Sequence, residues 1–189
     1  MITVYIKKIE NINENEKQNI INSLSTSAKE RLSKKRNESL HLASLCALSL
    51  LNNTQRANLN YTESGIPFFE NINQNISISH SDMFASVAVS DSNDENVGID
   101  IEDNSNIRIS PRFLTENEQK IATDSQKFID IWTKKESLFK FLKNDSLQFI
   151  HLDSTTPKKH GVSFSTVQTN EYVITICKEK SSKIEIIQK

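Results

Sequence analysis

The sequence predicts an α+β fold built from two similar halves, and three observations predict it. Strand-type alternation opens the chain at residues 2 to 9 and returns at residues 97 to 102. Each of these stretches is followed by helical spacing of apolar residues, and each helical region gives way to further strands. No strong sequence repeat accompanies this order, and the halves meet near Asn96 and Val97, giving residues 1–96 and 97–189.

The first half begins with Ile2-Thr3-Val4-Tyr5-Ile6, which alternates directly from the start. Residues 14–24 read as a short polar helix. A longer helical pattern covers residues 26–51, basic in its first part (Lys29, Arg31, Lys34, Lys35, Arg36) and apolar in its second (Leu40, Leu42, Leu45, Ala47, Leu48, Leu51). Gly65 and Pro67 mark a turn-rich connection. Strands are expected at 76–79 and 84–89. In the second half, Thr115-Glu116-Asn117-Glu118 has capping-box spacing and starts a helix to about Ala122. A helix is expected over 125–142, then strands at 147–152, 162–167, 172–177 and 184–187.

Composition narrows the function classes. Within 189 residues, 23 basic and 24 acidic residues nearly cancel, so no global field draws the protein to nucleic acid or an anionic membrane. Cys46 and Cys177 each sit in an apolar pattern, as buried thiols of a reduced, cytoplasmic protein do, and no Cys/His spacing suggests zinc. No basic stretch leads into a hydrophobic run, and no apolar stretch is long enough for a bilayer. Neither a signal peptide nor a membrane span is expected.

Three segments have residue types suited to chemistry. In Val97-Gly98-Ile99-Asp100-Ile101-Glu102, the β-branched residues point to a core while Gly98, Asp100 and Glu102 share the opposite face. Carboxylates at i and i+2 can share a hard cation such as Mg2+, and Gly98 would let a ligand approach the backbone. A solvated acidic edge strand reads equally well from this segment alone. In Trp132-Thr133-Lys134-Lys135-Glu136-Ser137-Leu138-Phe139-Lys140, residues 132, 136 and 140 line one helix face, with Ile131, Leu138 and Leu142 on an apolar side. Alone, that pattern describes a surface helix with a Glu-to-Lys ion pair. Ser77-Ile78-Ser79-His80-Ser81 ends a strand, where hydroxyls and imidazole either bind phosphate or cap a turn. His80 with its serines does not read as a hydrolase triad, since no G-x-S-x-G elbow is present.

Taken together, Gly98-Ile99-Asp100-Ile101-Glu102, the Trp132–Lys140 stretch and Ile78-Ser79-His80-Ser81 resemble the three signatures of the 4′-phosphopantetheinyl transferase superfamily. Their order and separation resemble the monomeric, surfactin-synthetase-activating type, and Arg112-Phe113-Leu114 with Glu118 resembles the segment between its acidic motifs. The resemblance implies a pseudo-dimer of two α+β halves. It implies a Mg2+-dependent enzyme that moves phosphopantetheine from coenzyme A to a serine of an acyl or peptidyl carrier protein. It further implies that Asp100, Glu102 and Glu136 hold Mg2+, that Glu136 accepts the serine proton, and that Lys140 assists the leaving bisphosphate. Lys135 would contact the pyrophosphate, and Ser79, His80 and Arg36, with His41 nearby, would bind coenzyme A phosphates. Trp132 is expected to be a packing anchor. Ser77 and Ile66 depart from the family pattern. Two other readings of the same residues are a Mg2+-dependent phosphohydrolase and a coenzyme A or carrier-binding module that has lost turnover.

Overall fold

The computed structural model describes residues 1–104, 110–144 and 146–189. The first half runs β1 (Ile2–Lys8), α1 (Glu14–Ser23), α2 (Thr26–Ser33), α3 (Glu38–Ser49), α4 (Asn53–Asn58), β2 (Leu59–Tyr61), β3 (Pro67–Phe69), β4 (Ile76–His80) and β5 (Phe84–Ser90). The second runs β6 (Val97–Asp103), α5 (Glu116–Ile121), α6 (Ser125–Leu142), β7 (Val162–Gln168), β8 (Tyr172–Glu179) and β9 (Ile184–Gln188).

The two main sheets follow one path. In the first, β1 pairs antiparallel with β5 and β5 with β4. In the second, β6 pairs antiparallel with β8 and β8 with β7. A helix packs on each, α3 on β4 and β5, and α6 on β6 and β8. The last strand breaks this correspondence, because β9 crosses over and lies parallel to β1 with Ile2 opposite Ile184.

Alternation explains how the sheets meet. Ile2, Val4 and Ile6 of β1 join Val97, Ile99 and Ile101 of β6 and Ile174 and Ile176 of β8 in one buried cluster. Each such side chain contributes about 1.5–3 kcal/mol by leaving water. The edges β4 and β6 are then fastened by alternate serines, Ser77 and Ser79 on β4 and Ser81 just past its end. Ser77 Oγ accepts from the Ile99 N–H at 3.1 Å, Ser79 Oγ donates to Asp100 Oδ1 at 2.7 Å, and Ser81 Oγ donates to Asp103 Oδ1 at 2.6 Å. Serine period 2 along β4 and just past it thus ties one half to the other.

Three expectations change. The helical pattern over 26–51 is two helices, because Asn37 caps α3 by accepting from the N–H groups of Ser39 and Leu40. Residues 147–152 form no strand. Phe149–His151 is a single 3-10 turn whose Phe149 packs edge-on against Trp132 and Phe139, so its apolar residues plug the space beside α6. Gly98 does not leave room for a ligand. A Cβ there would lie 1.9 Å from the Ser137 carbonyl oxygen and 2.6 Å from the Phe141 nitrogen, so the α6 backbone fills the gap.

Candidate functional site

The close approach at Gly98 sets α6 against β6, and so brings the acidic face of β6 beside the Trp132, Glu136 and Lys140 face of α6. On β6, Asp100 and Glu102 point away from the inter-sheet core; on α6, Trp132, Glu136 and Lys140 follow one another at intervals of four. All five line a cavity of about 350 Å³. Its other wall comes from the first half: Arg31 in the last turn of α2 and Lys35 beyond its end, Tyr61, Gly65 and Pro67, and Ser79 and His80 of β4.

Lys140 sits at the centre of the acidic wall. Its Nζ donates to Asp100 Oδ1 at 2.7 Å and to Ser79 Oγ at 2.9 Å, and lies 4.0 Å from Glu136 Oε2. Burial alone would lower its pKa, but Asp100, Glu136 and Glu102 outweigh burial and raise it, so the ammonium stays charged. Burial first, and then the Asp100 carboxylate, push Glu102 up to about 8 against the donating indole of Trp132. Burial likewise raises Glu136 to about 7, with Lys140 pulling down and Asp100 pushing up. Full ionisation of the three carboxylates would leave more negative charge than Lys140 balances, so both glutamates hold their protons more tightly, and a bound cation would favour their ionised forms.

Among the described residues no three His, Cys, Asp or Glu side chains are drawn together as a metal cluster. The donor set nonetheless fits a hard divalent ion. Asp100, Glu102 and Glu136 offer only carboxylate oxygens, the type Mg2+ prefers, and Asp100 Oδ2 is buried without a hydrogen-bond partner.

The opposite wall is basic. The Arg31 guanidinium lies 4.6 Å from the centre of the Tyr61 ring. Gly65, at φ +90°, closes over it so tightly that a Cβ would meet Arg31 Nη1 at 2.6 Å. Burial, with Arg31 second, lowers the Lys35 pKa. His80 is pushed down to about 4 by burial and then by Lys35 and Lys140, so it is neutral at physiological pH. Neutral imidazole offers one donor and one acceptor.

Residues 96–186 match the family model of the 4′-phosphopantetheinyl transferase superfamily. The matched segment carries Asp100, Glu102, Glu136 and Lys140, whereas Arg31, Lys35, Ser79 and His80 lie outside it. No curated protein matches the chain. No helix among the described residues is long and apolar enough to cross a membrane.

Two residues expected at the ligand lie outside the cavity, and a third has protein partners of its own. Lys135 does not reach the cavity: it is fully buried on the other side of α6, with Nζ donating to Glu118 Oε2 at 2.7 Å and to the Leu152 carbonyl. One residue before Glu136, it is rotated by about 100° around the helix and meets α5, where Glu118 also accepts from Thr115 N–H and from Ser154. Arg36 is exposed beyond the end of α2 and does not line the cavity; Arg31 and Lys35 face it instead. Ser79 lines the cavity but is committed to Asp100 and Lys140, not grouped with Lys35 and His80. The basic run Lys29, Arg31, Lys34, Lys35 and Arg36 was the available signal for the basic wall, without marking which of its members face the cavity.

Proposed function

We propose that the protein transfers 4′-phosphopantetheine from coenzyme A to a serine of an acyl or peptidyl carrier protein in a Mg2+-dependent reaction. Residues 1–96 and 97–189 act as two halves of a cytoplasmic monomer, with coenzyme A between them. One observation carries this reading: the acidic wall from the segment that matches the transferase family faces a basic wall across a single cavity.

Arg31, Lys35 and His80 suit the phosphates of coenzyme A, two by charge and His80 by hydrogen bonding. Asp100, Glu102 and Glu136 would hold Mg2+, which when bound supplies charge neutralisation at the pyrophosphate. Glu136, whose proton affinity is raised toward neutral pH, takes the proton from the carrier serine. The serine oxygen then bonds to the phosphorus that bears pantetheine, and the bond from that phosphorus to adenosine 3′,5′-bisphosphate breaks. Lys140 is cationic and beside Asp100, so it stabilises the negative charge left on the departing bisphosphate.

The test is incubation with coenzyme A, Mg2+ and an apo carrier protein, read by mass spectrometry. The expected result is a phosphopantetheine adduct on the carrier that does not form when chelator is present from the start and forms again when excess Mg2+ is added. Release of phosphate or nucleotide without a carrier would make the protein a hydrolase. Tight coenzyme A binding with no adduct across a panel of carriers would make it a binding module.

A further inference from the structure

Trp132 does more than pack. It is the single tryptophan of the chain, and aromatic rings hold it from several directions. Phe128 lies nearly parallel at 6.0 Å and 12°, while Phe113 and Phe149 meet it edge-on at 6.2 and 5.5 Å. A ring enclosed in this way keeps its orientation, and so its one polar atom keeps a fixed aim. That atom, Nε1, donates to Glu102 Oε1 at 3.1 Å. Glu102 belongs to β6 and Trp132 to α6, so the bond joins the two elements that carry the acidic wall.

A glutamate side chain at a cavity has several rotatable bonds, and holding it in one pose costs entropy whenever a ligand requires that pose. A rigid donor on one carboxylate oxygen removes that cost beforehand and leaves the other oxygen for a cation. Packing alone would not require an N–H at this position, because the phenyl ring of phenylalanine would fill much of the same aromatic nest.

We propose that Trp132 is a positioning residue that orients Glu102 to receive a divalent cation. This rests on the reading that Asp100, Glu102 and Glu136 hold Mg2+. The measurement is calorimetric titration of Mn2+ and of Mg2+ into the protein without coenzyme A or carrier, together with the emission of the lone tryptophan during the wild-type titration. Trp132→Phe keeps an aromatic ring and removes the donor. Replacement of Trp132 by benzothienylalanine, which has sulfur in place of the indole N–H, keeps the ring shape and so tests the hydrogen bond even where the phenylalanine variant folds poorly.

Loss of such a supporting hydrogen bond weakens metal affinity by about 10- to 100-fold. Both variants should therefore show that loss, with the far-UV circular dichroism of the folded protein unchanged. In wild-type protein, cation binding should shift the tryptophan emission. Replacement by 5-hydroxytryptophan, which retains the N–H, should retain affinity. Wild-type affinity in the benzothienylalanine protein would overturn the positioning role while leaving the carboxylate reading standing. Absence of any cation binding by the wild-type protein would overturn the carboxylate reading, and this inference with it.

Discussion

Replacing Lys135 with methionine removes the positive partner of a glutamate that has no access to water. Lys135 and Glu118 are both 0% exposed, and their ion pair is 2.7 Å long. After Lys135→Met, Glu118 keeps only the Thr115 N–H at 2.8 Å, the Ser154 N–H at 2.9 Å and the Ser154 hydroxyl at 2.8 Å. The Leu152 carbonyl also loses its donor. Removing one partner of a buried pair costs about 3–5 kcal/mol, because the remaining charge stays desolvated. For a chain of this size each kcal/mol moves Tm by about 2–4 °C, so the variant should melt roughly 6–20 °C lower. Urea unfolding of the wild type, Lys135→Met, Glu118→Gln and the double variant should show the single variants sharing most of their loss, with coupling above about 1 kcal/mol. A Lys135→Met protein within about 1 kcal/mol of wild type at pH 8 would refute the buried-pair account.

Gly98→Ala should destabilise the fold by about 1–3 kcal/mol, since the new methyl meets the Ser137 carbonyl at 1.9 Å and pushes α6 from β6; differential scanning calorimetry measures it. Arg31→Ala and Lys35→Ala should each raise the KM for coenzyme A by about tenfold or more, the loss of one charge-assisted phosphate contact, while Arg36→Ala leaves it near wild type. His80 has its pKa lowered from 6.5 to about 4, so its contribution to stability is full above pH 6.5 and is lost as pH falls toward 4. His80→Gln should therefore flatten the acid side of the stability profile in that window, as followed by chemical denaturation at stepped pH.

The acidic wall is legible in the sequence because two periodicities fix its two faces. Period 2 in Val97–Glu102 sends Ile99 and Ile101 to the core and Asp100 and Glu102 to the cavity, and period 4 sets Trp132, Glu136 and Lys140 in a line. The basic wall is harder to read. Helix α2 ends at Ser33, before both Lys35 and Arg36, so no helical phase tells which of the two faces the cavity. Lys135 and Lys140 are both lysines of one motif. Only the chain around Leu152 and Ser154, packed on the far side of α6, decides that Lys135 is structural. Gly98 is a similar case, since sequence marks a close approach there without saying whose backbone arrives. The serines on and just past β4 look like a phosphate loop, yet Ser77 and Ser81 spend their hydroxyls on the partner strand.

The central claim is that Asp100 of β6 and Glu136 of α6 serve one transfer centre. Its most direct test is the single-turnover rate of phosphopantetheine transfer to an apo carrier by wild type, Asp100→Ala and Glu136→Gln, with folding of each verified by circular dichroism. Transfer by the wild type and its loss, by about a hundredfold or more, in both variants is the expected result. Transfer at the wild-type rate by either folded variant would contradict the claim.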